Sequence, residues 1–117
     1  MTRRLLKSKI HRATVTDANI QYEGSVTVDS ALMEAADIAP WEEVAIWDVT
    51  NGERISTYAI PGKAESGVVC INGAAAHKVR KGDVVIIATY ADYPEELVGS
   101  HDPKRILVDP QNKILAS

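Results

Sequence analysis

Hydrophobic and polar residues alternate with a period of two along most of this chain, which is typical of β-strands that bury one face. In the first such segment the two faces are predicted to hold alternate residues, with Lys9, His11, Ala13 and Val15 on one side and Ile10, Arg12, Thr14 and Thr16 on the other. Further strands are predicted at residues 25–28, 43–49, 53–60, 67–71 and 84–88. The fold is therefore predicted to be mainly β.

Turn residues separate these predicted strands. Asn51-Gly52 is the strongest hairpin signal, because both residue types tolerate the positive φ that a tight turn requires. Pro61-Gly62 is predicted to end the second strand of that hairpin. The run at 84–88 is apolar on both faces, which indicates a central strand.

Only short helices are predicted. Asp29 or Ser30 can cap a helix that continues to about Asp37. The predicted buried stripe of this helix is Leu32, Met33 and Ala36. Residues 74–76 can form one helical turn.

Two further patterns concern the organisation of the chain. Residues 41–46 and 81–86 resemble each other at a separation of forty positions, which favours a barrel built from two related halves. After Tyr90 the pattern changes, and residues 93–96 are predicted to form a loop. Residues 104–108 and 113–115 are predicted to pair as a late hairpin, with a disordered tail as the alternative.

Composition indicates a single small domain. A length of 117 residues and a hydrophobic content of 45% suit one compact domain and leave no room for two. The chain contains no phenylalanine, so its core is predicted to be aliphatic. The net charge of -3 argues against a broad nucleic-acid surface, and one basic cluster is expected to be a solvated strand face. That cluster consists of Arg3, Arg4, Lys7, Lys9 and Arg12.

The sequence also bears on location and metal binding. No run approaches about 18 consecutive apolar residues, so no transmembrane helix is predicted, and no signal peptide is recognised. The single Cys70 cannot form an internal disulfide and is expected to be a buried strand residue of a cytoplasmic protein. His11, His77 and His101 are scattered without paired ligand spacing, so no metal site is predicted.

The pair Gly24-Ser25 is the strongest candidate for chemistry. Glycine tolerates a strained turn, and the serine places a hydroxyl beside the peptide bond that joins the two residues. Attack of the Ser25 oxygen on the Gly24 carbonyl would convert that peptide into an ester. Elimination of the ester would give a dehydroalanine, and its hydrolysis would leave a ketone-bearing pyruvoyl group. An ordinary turn is the alternative, because Gly-Ser pairs are common.

Three other segments accompany this pair, namely Lys7-Ser8-Lys9-Ile10-His11-Arg12-Ala13-Thr14-Val15-Thr16, Arg54-Ile55-Ser56-Thr57-Tyr58 and Ile71-Asn72-Gly73-Ala74-Ala75-Ala76-His77. Together with residues 22–28 they resemble the pyruvoyl-dependent aspartate 1-decarboxylases, bacterial enzymes of pantothenate biosynthesis. The resemblance covers about residues 1–90, so residues 91–117 are expected to be a family-variable tail.

The resemblance implies a fold, an activity and an assembly. The fold would be a six-stranded double-psi β-barrel, with residues 1–117 as one domain. The protein would be a zymogen that cleaves itself into a β fragment, residues 1–24, and an α fragment, residues 25–117, with a pyruvoyl group in place of PLP or a metal. This group would form a Schiff base with L-aspartate and yield β-alanine and carbon dioxide. Active sites would lie at subunit interfaces of a homotetramer, and the need for an accessory maturation protein stays open.

The resemblance also implies roles for individual residues. Gly24, Ser25 and Thr57 would take part in self-cleavage, with Thr57 hydrogen-bonded to the Gly24 carbonyl. Ser25 and Tyr58 would be catalytic, since a tyrosine hydroxyl can return a proton to the substrate carbanion. Arg54 suits a carboxylate, because its guanidinium offers two parallel donors. The substrate-binding set would be Lys9, Arg54, Thr57, Asn72, Gly73, Ala74 and Ala75, with His11 and Tyr22 in support.

Without the resemblance these residues have simpler explanations, as strand residues, solvated cations or a tight turn. On a regular strand Arg54 and Tyr58 share a face about 13 Å apart, while Thr57 faces the other way. Thr57 therefore requires a bulge, a strand end or a pocket shared between subunits. Two alternative functions stay open, a non-catalytic double-psi barrel binding module and a hydrolase that uses Ser25 with His11 or His77.

Overall fold

The computed structural model of this protein describes residues 1–20 and 25–116, and these are mainly β. The strands are β1 (Thr2–Thr14), β2 (Asp17–Asn19), β3 (Ser25–Asp29), β4 (Glu43–Asp48), β5 (Arg54–Gly62), β6 (Val69–Asn72), β7 (Val84–Pro94), β8 (Lys104–Val108) and β9 (Ile114–Ala116). The helices are α1 (Ser30–Ala35), a 3₁₀ helix (Gly73–His77) and α2 (Glu95–Val98). The prediction of a mainly β fold with short helices is confirmed.

The strand order closes on itself. The strands pair in the order β2–β6–β3–β5–β4–β7–β1–β8–β9. Only Val15 and Thr16 separate β1 from β2, and Thr16 hydrogen-bonds to Val69 of β6 through both its backbone and its side chain. The segment β1–β2 therefore joins the two ends of a ring that also contains β6, β3, β5, β4 and β7. This ring agrees with the six-stranded barrel that the resemblance implies, and β8 and β9 attach outside it.

Aliphatic side chains fill the inside of the ring, as the absence of phenylalanine predicts. The largest buried side chains include Ile10, Val26, Val28, Val44, Ile46, Ile71, Val85 and Ile87. Helix α1 adds Leu32 and Met33 to this core, and Ala36 directly after it is also buried. Asp29 caps α1 by accepting a hydrogen bond from Ala31 N at 2.8 Å, so the predicted cap and stripe are confirmed.

Strand β1 departs from strict alternation at Arg12. The φ of Arg12 is 63°, and the register with β7 shifts between Ile10 and Ala13. This β-bulge adds one residue to β1, so the side chains that follow it point to the opposite face from the one that strict alternation predicts. As a result Ile10, Ala13 and Val15 are all buried. The predicted assignment of faces over residues 9–16, which put Ile10 opposite Ala13 and Val15, is therefore wrong.

Strands β4 and β7 are adjacent and antiparallel, which agrees with two related halves. Ile46 pairs directly with Ile87, and at a separation of 41 positions the burial of residues 44–46 matches that of residues 85–87. Val44 and Val85 are then both buried, whereas a separation of forty would match Val44 with the half-buried Val84. The predicted separation is wrong by one residue, because a run of aliphatic residues aligns almost equally well in either register.

Strand β5 continues through Pro61 and ends at Gly62, two residues beyond the predicted last strand residue, Ile60. The strand changes partner along its length: Arg54 to Tyr58 pair with β4, and Ala59 to Gly62 pair in parallel with β3. The hairpin prediction at Asn51-Gly52 is confirmed, and Gly52 has the positive φ, 80°, that such a turn favours.

The tail after Tyr90 packs onto the ring. Strand β7 extends to Pro94 and is followed by α2, so the predicted loop at residues 93–96 is wrong. The predicted late hairpin is confirmed by the antiparallel pair of β8 and β9. Asn112 anchors this hairpin, since its Nδ2 donates to Thr14 O and Gly67 O, each at 2.8 Å. None of the helices in residues 1–20 and 25–116 has the length and apolar character needed to cross a membrane.

Candidate active site

Ser25 and Asn72 face each other at the ends of two antiparallel strands. Ser25 begins β3, Asn72 ends β6, and the two residues lie directly opposite in the register. Asn72 Nδ2 donates to Ser25 Oγ at 3.0 Å and to Thr27 Oγ1 at 3.1 Å. Ser25 and Asn72 are both buried, so water competes little for these hydrogen bonds.

A cavity of about 420 Å³ opens beside Ser25. Its described lining consists of Ser25, Thr27, Trp41, Tyr58, Ile60, Cys70 and Asn72. The wall combines apolar surface with a few converging polar groups, which is the usual character of a small-molecule site. The arrangement suits a small ligand that approaches the Ser25 side chain.

Most of the lining residues are there because they share the outer face of their strands. They form pairs at two-residue spacing, Ser25 and Thr27 on β3, Tyr58 and Ile60 on β5, and Cys70 and Asn72 on β6. The residues between them, Val26, Ala59 and Ile71, are fully buried in the core. The sequence predicts one member of each pair as a site residue and misses Thr27, Ile60 and Cys70. The alternation of strand faces could have identified them, because each lies two positions from a predicted site residue.

Cys70 orients the amide of Asn72. Cys70 Sγ donates to Asn72 Oδ1 at 3.3 Å, which turns Nδ2 toward Ser25 and Thr27. Burial raises the pKa of the Cys70 thiol and the charge of Asp17 raises it further, so at neutral pH the thiol keeps its proton. Cys70 lies on a strand as predicted, but it is half-buried at the cavity wall rather than enclosed in the core.

Tyr58 enters the cavity beneath an exposed tryptophan. The rings of Trp41 and Tyr58 stack with their centroids 5.6 Å apart and an interplanar angle of 27°. Tyr58 is half-buried, whereas Trp41 is 72% exposed. Trp41 was missed by sequence reasoning, because it lies before β4, where no period indicates which way a side chain faces.

Three predicted site residues, Lys9, Arg54 and Thr57, lie outside the described cavity lining. Arg54 is exposed, and its guanidinium carbon lies 4.6 Å from the centroid of the Trp47 ring. Thr57 is half-buried and belongs to the opposite set of alternating β5 residues from Tyr58, as the sequence predicts. Tyr58 and Arg54 lie on the same face of β5, as predicted. Within one subunit, however, Lys9, Arg54 and Thr57 do not line the described cavity beside Ser25.

The lateral distance of Lys9 from Arg54 follows from the strand pairing. Lys9 pairs with Ala88, Ala88 with Ala45, and Ala45 with Ser56, two residues from Arg54 on β5. Lys9 therefore shares the outer face of the sheet with Arg54, but three strand spacings, about 14 Å, separate it from β5.

The 3₁₀ helix follows Asn72 directly. Gly73 is buried with a φ of 67°, and Asn72 makes no side-chain cap for this helix because its amide is engaged elsewhere. The first N–H groups of the turn thus receive nothing from the Asn72 side chain. Ala74 is exposed and Ala75 is half-buried, and none of residues 73–75 belongs to the described cavity lining.

His11 lies outside the described cavity lining. Its Nδ1 is buried without a hydrogen-bond partner in the described part of the chain. Burial lowers the pKa of His11, and the charges of Lys9 and Arg12 lower it further, so the imidazole is neutral at physiological pH. The hydrogen bond that Ser25 Oγ makes in the described structure comes from Asn72, and neither His11 nor His77 lines the cavity, which gives the hydrolase alternative no support.

Two predicted site residues, Tyr22 and Gly24, lie outside the described residues. Within residues 1–20 and 25–116 there is no cluster of three His, Cys, Asp or Glu side chains placed to hold a metal ion.

Comparison with known proteins gives consistent matches over nearly the whole chain. The profile of a family described as aspartate decarboxylase matches residues 1–115. An aspartate 1-decarboxylase of Syntrophus aciditrophicus (strain SB) is 60% identical over 114 residues, which cover 97% of this chain and 98% of that protein. The aspartate 1-decarboxylase of Myxococcus xanthus (strain DK1622) is 54% identical over 115 residues, with 98% and 88% covered. The one from Neisseria meningitidis is 56% identical over 114 residues, with 97% and 90% covered.

Proposed function

Because the chain belongs to the aspartate decarboxylase family, we propose that it is a self-processing lyase that converts L-aspartate to β-alanine and carbon dioxide, with Ser25 as the precursor of a pyruvoyl group. The observation that carries this proposal is the buried Ser25, whose Oγ accepts a hydrogen bond from Asn72 beside a cavity that Tyr58 also lines. The β-alanine serves pantothenate biosynthesis in the cytoplasm.

The surroundings of Ser25 fit a pyruvoyl group. Asn72 Nδ2 lies 3.0 Å from Ser25 Oγ. A ketone oxygen at the same place could accept a hydrogen bond from this amide. None of the described lining residues carries an amine that would compete with the amine of the substrate. A pyruvoyl group held here would supply the electron sink that loss of carbon dioxide requires.

Self-cleavage depends on the same hydrogen bond. Ser25 Oγ attacks the carbonyl carbon of Gly24, the C–N bond breaks, and the hydroxyl proton passes to the freed amine to leave an ester. Elimination of that ester releases Oγ as part of the Gly24 carboxylate, so negative charge develops on this oxygen. Asn72 Nδ2 is the described donor in contact with the attacking oxygen. Because Ser25 is only 3% exposed, a donor fixed there stabilises developing charge more than water would.

A second copy of the chain completes the substrate site. Tyr58 lines the cavity, but Arg54 lies outside its described lining and packs on Trp47, and Thr57 faces the other side of β5. A substrate held at Ser25 must have its retained carboxylate bound by a cation, and the described lining of the cavity has none. Arg54, reinforced by Lys9, supplies this charge from a neighbouring subunit of a homotetramer, and Thr57 reaches the Gly24 carbonyl in the same assembled site.

Intact-mass measurement after prolonged warm incubation tests the processing. The expected products are fragments 1–24 and 25–117, the second with a blocked N-terminus that reacts with carbonyl reagents. Ser25→Ala is the control and stays whole and inactive, while Thr57→Val folds but cleaves poorly. A chain that stays whole, with no carbonyl-reactive group even in extract of the source cells, contradicts the proposal.

Mixed assemblies test whether the site is shared. Ser25→Ala lacks the pyruvoyl precursor and Arg54→Ala lacks the cation, so each variant alone makes little β-alanine. When the two chains are coexpressed, sites that combine an intact Ser25 with an intact Arg54 from the other copy restore a measurable part of the activity. Light scattering is expected to give a homotetramer. A lack of restoration in tetramers shown to contain both chains would place Arg54 and Ser25 in the same subunit.

Two further variants separate substrate binding from proton transfer. Removal of a charge-assisted contact typically costs about 1.5–3 kcal/mol, so processed Arg54→Ala is expected to raise the KM for aspartate roughly ten- to a hundredfold. Tyr58→Phe is expected to cleave and to be trapped by borohydride with aspartate, yet to lose β-alanine formation. If Tyr58→Phe forms β-alanine at the unmutated rate, a water or another side chain returns the proton.

A further inference from the structure

Trp41 adopts a backbone conformation that disfavours its own side chain. Its φ is 74°, in the left-handed region that glycine occupies freely and that a bulky residue occupies only at a cost. The side chain gains little burial in return, since Trp41 is 72% exposed. A strained residue at the edge of a candidate site therefore needs an explanation from something other than core packing.

The related half of the ring shows what the backbone itself prefers there. Trp41 N donates to Ala59 O at 2.7 Å, and Ala59 N donates to the carbonyl of residue 42 at 3.0 Å. In the other half, Gly82 N donates to Val15 O at 2.8 Å, and Val15 N donates to the carbonyl of residue 83 at 2.9 Å. Gly82 has a φ of 91°, so the same hydrogen-bonded corner is made with glycine. The fold requires this conformation, but it does not require a tryptophan.

Among the described residues, the specific contact of the Trp41 side chain is its stack on Tyr58, with ring centroids 5.6 Å apart. Within the described part of the chain no hydrogen bond holds the Tyr58 hydroxyl, so the position of the phenol depends on ring packing. On β4 the register partner of Tyr58 is Glu43, whose side chain is exposed. Trp41 is thus the described aromatic group that covers the Tyr58 ring where it enters the cavity.

We propose that Trp41 is a positioning residue, whose ring holds the Tyr58 hydroxyl toward Ser25 and for whose sake the chain tolerates a strained corner. This inference rests on the proposed function, in which Tyr58 returns the proton to the substrate. An aromatic stack of this kind typically contributes a factor of roughly two to ten in an equilibrium constant at 25 °C. Loss of the stack is expected to lower the population of the productive Tyr58 rotamer by that factor.

Three substitutions separate the ring from the strain. Trp41→Gly removes both, Trp41→Ala removes the ring but keeps a Cβ in the left-handed conformation, and Trp41→Phe keeps a ring. Glycine and alanine variants are expected to lose the same about two- to tenfold in kcat, with a smaller change in the KM for aspartate, whereas Trp41→Phe stays near the parent. The melting temperature follows the strain instead, with Trp41→Gly about 3–6 °C above Trp41→Ala. All three variants cleave as the parent does.

A second readout follows the Tyr58 ring directly. The chain has four tyrosines, so 3-fluorotyrosine gives four fluorine signals, and Tyr58→Phe identifies the one from position 58. In Trp41→Gly and Trp41→Ala that signal is expected to lose its ring-current shift and to sharpen, while Trp41→Phe retains most of the shift. Gly82→Trp places the same residue at the equivalent corner, and it is expected to lower the melting temperature without moving the Tyr58 signal or kcat.

The outcomes are distinguishable. Parent-like kcat and an unmoved fluorine signal in Trp41→Gly, in a protein where Tyr58→Phe is impaired, would overturn the role of Trp41. Activity that falls in step with melting temperature across the alanine and glycine variants would reduce Trp41 to a structural residue. If the parent makes no β-alanine, the proposed function fails, and the fluorine signal still decides whether Trp41 holds the Tyr58 ring.

Discussion

The buried carboxyl group of Asp48 makes the stability of this fold depend on pH in an unusual direction. Asp48 is 3% exposed at the end of β4, and its Oδ1 accepts hydrogen bonds from Thr50 N at 2.8 Å and Asn51 N at 3.1 Å. Its Oδ2 is buried and has no partner in the described structure. Burial raises the pKa of Asp48 to about 6, and the neighbouring carboxyl group of Asp83 raises it further. We expect a protonated Oδ2 to donate to Asp83, which would give this buried atom a partner.

The sign of the effect follows from this raised pKa. The folded state binds the Asp48 proton more tightly than the unfolded state, whose pKa is near 3.8. The stabilisation is fully present below pH 3.8 and is lost as the pH rises through about 6. A difference of about two pKa units corresponds to about 3 kcal/mol in the free energy of unfolding. Most carboxylates with favourable contacts act in the opposite direction, since they stabilise the fold above their pKa.

Asp48→Asn tests this reasoning. The amide keeps an oxygen for the two backbone N–H groups, and its Nδ2 replaces the shared proton as the donor to Asp83. Relative to the parent, the variant is expected to be equally stable near pH 4 and more stable by up to about 3 kcal/mol at pH 8. Urea denaturation between pH 4.5 and 8, in a Ser25→Ala background that keeps one uncleaved chain, measures the difference directly.

A matched control is available at another turn. Asp109 Oδ1 likewise accepts two backbone hydrogen bonds, from Gln111 N at 2.8 Å and Lys113 N at 2.9 Å, but the residue is only half-buried. Asp109→Asn is expected to change stability little, because an amide oxygen still accepts both backbone hydrogen bonds. A stability difference between Asp48→Asn and the parent that does not vary with pH would refute the shared proton.

Three shorter predictions concern the site and the tail. Asn72→Ala is expected to slow self-cleavage by about 10²–10³ in a time course of intact masses, as for loss of a donor to developing negative charge, and a change below about tenfold would reduce Asn72 to a ground-state contact. Cys70→Ser should preserve the cleavage rate, because a hydroxyl still donates to Asn72 Oδ1, whereas Cys70→Val should slow it severalfold; equal rates would show that the thiol does not orient the amide. Asn112→Ala should lower the free energy of unfolding, measured in urea, by about 2–4 kcal/mol, because three backbone groups lose their hydrogen bonds to the Asn112 side chain. A loss below about 0.5 kcal/mol would show that Asn112 does not anchor the tail.

The strands of this fold were predictable because their burial leaves a pattern in the sequence. One face of each strand packs on the aliphatic core, so hydrophobic residues recur at every second position, most clearly in β3 and β4. Arg12 shows the limit of this signal. The bulge inserts one residue, Arg12, with a positive φ. Because arginine rarely adopts a positive φ, its presence in the sequence does not predict a bulge. Pro61 shows another limit, since the end of β5 is fixed by pairing with β3, which is distant in sequence.

The site was predictable to the extent that its residues share strands with the recognised motifs. Ser25, Tyr58 and Asn72 meet at one cavity as the resemblance implies, and each has an unpredicted neighbour two positions away. Trp41 has no such relation to a motif, because its position depends on a corner whose backbone conformation normally calls for glycine. Only the pairing of that corner with Ala59, next to Tyr58, brings its ring to the cavity.

The separation of Arg54 from the cavity has a physical reason of its own. An unpaired guanidinium enclosed in a largely apolar pocket would lose its hydration without compensation, and the described lining of the cavity contains no anionic side chain to pair with it. On the outer face of β5 Arg54 is exposed, and the Trp47 ring supports its guanidinium by a cation–π contact. The fold of one chain therefore favours keeping the cation and the buried Ser25 apart. In the proposed tetramer a second copy would bring them together, and a contact of this kind leaves no periodic signal in the sequence of one chain.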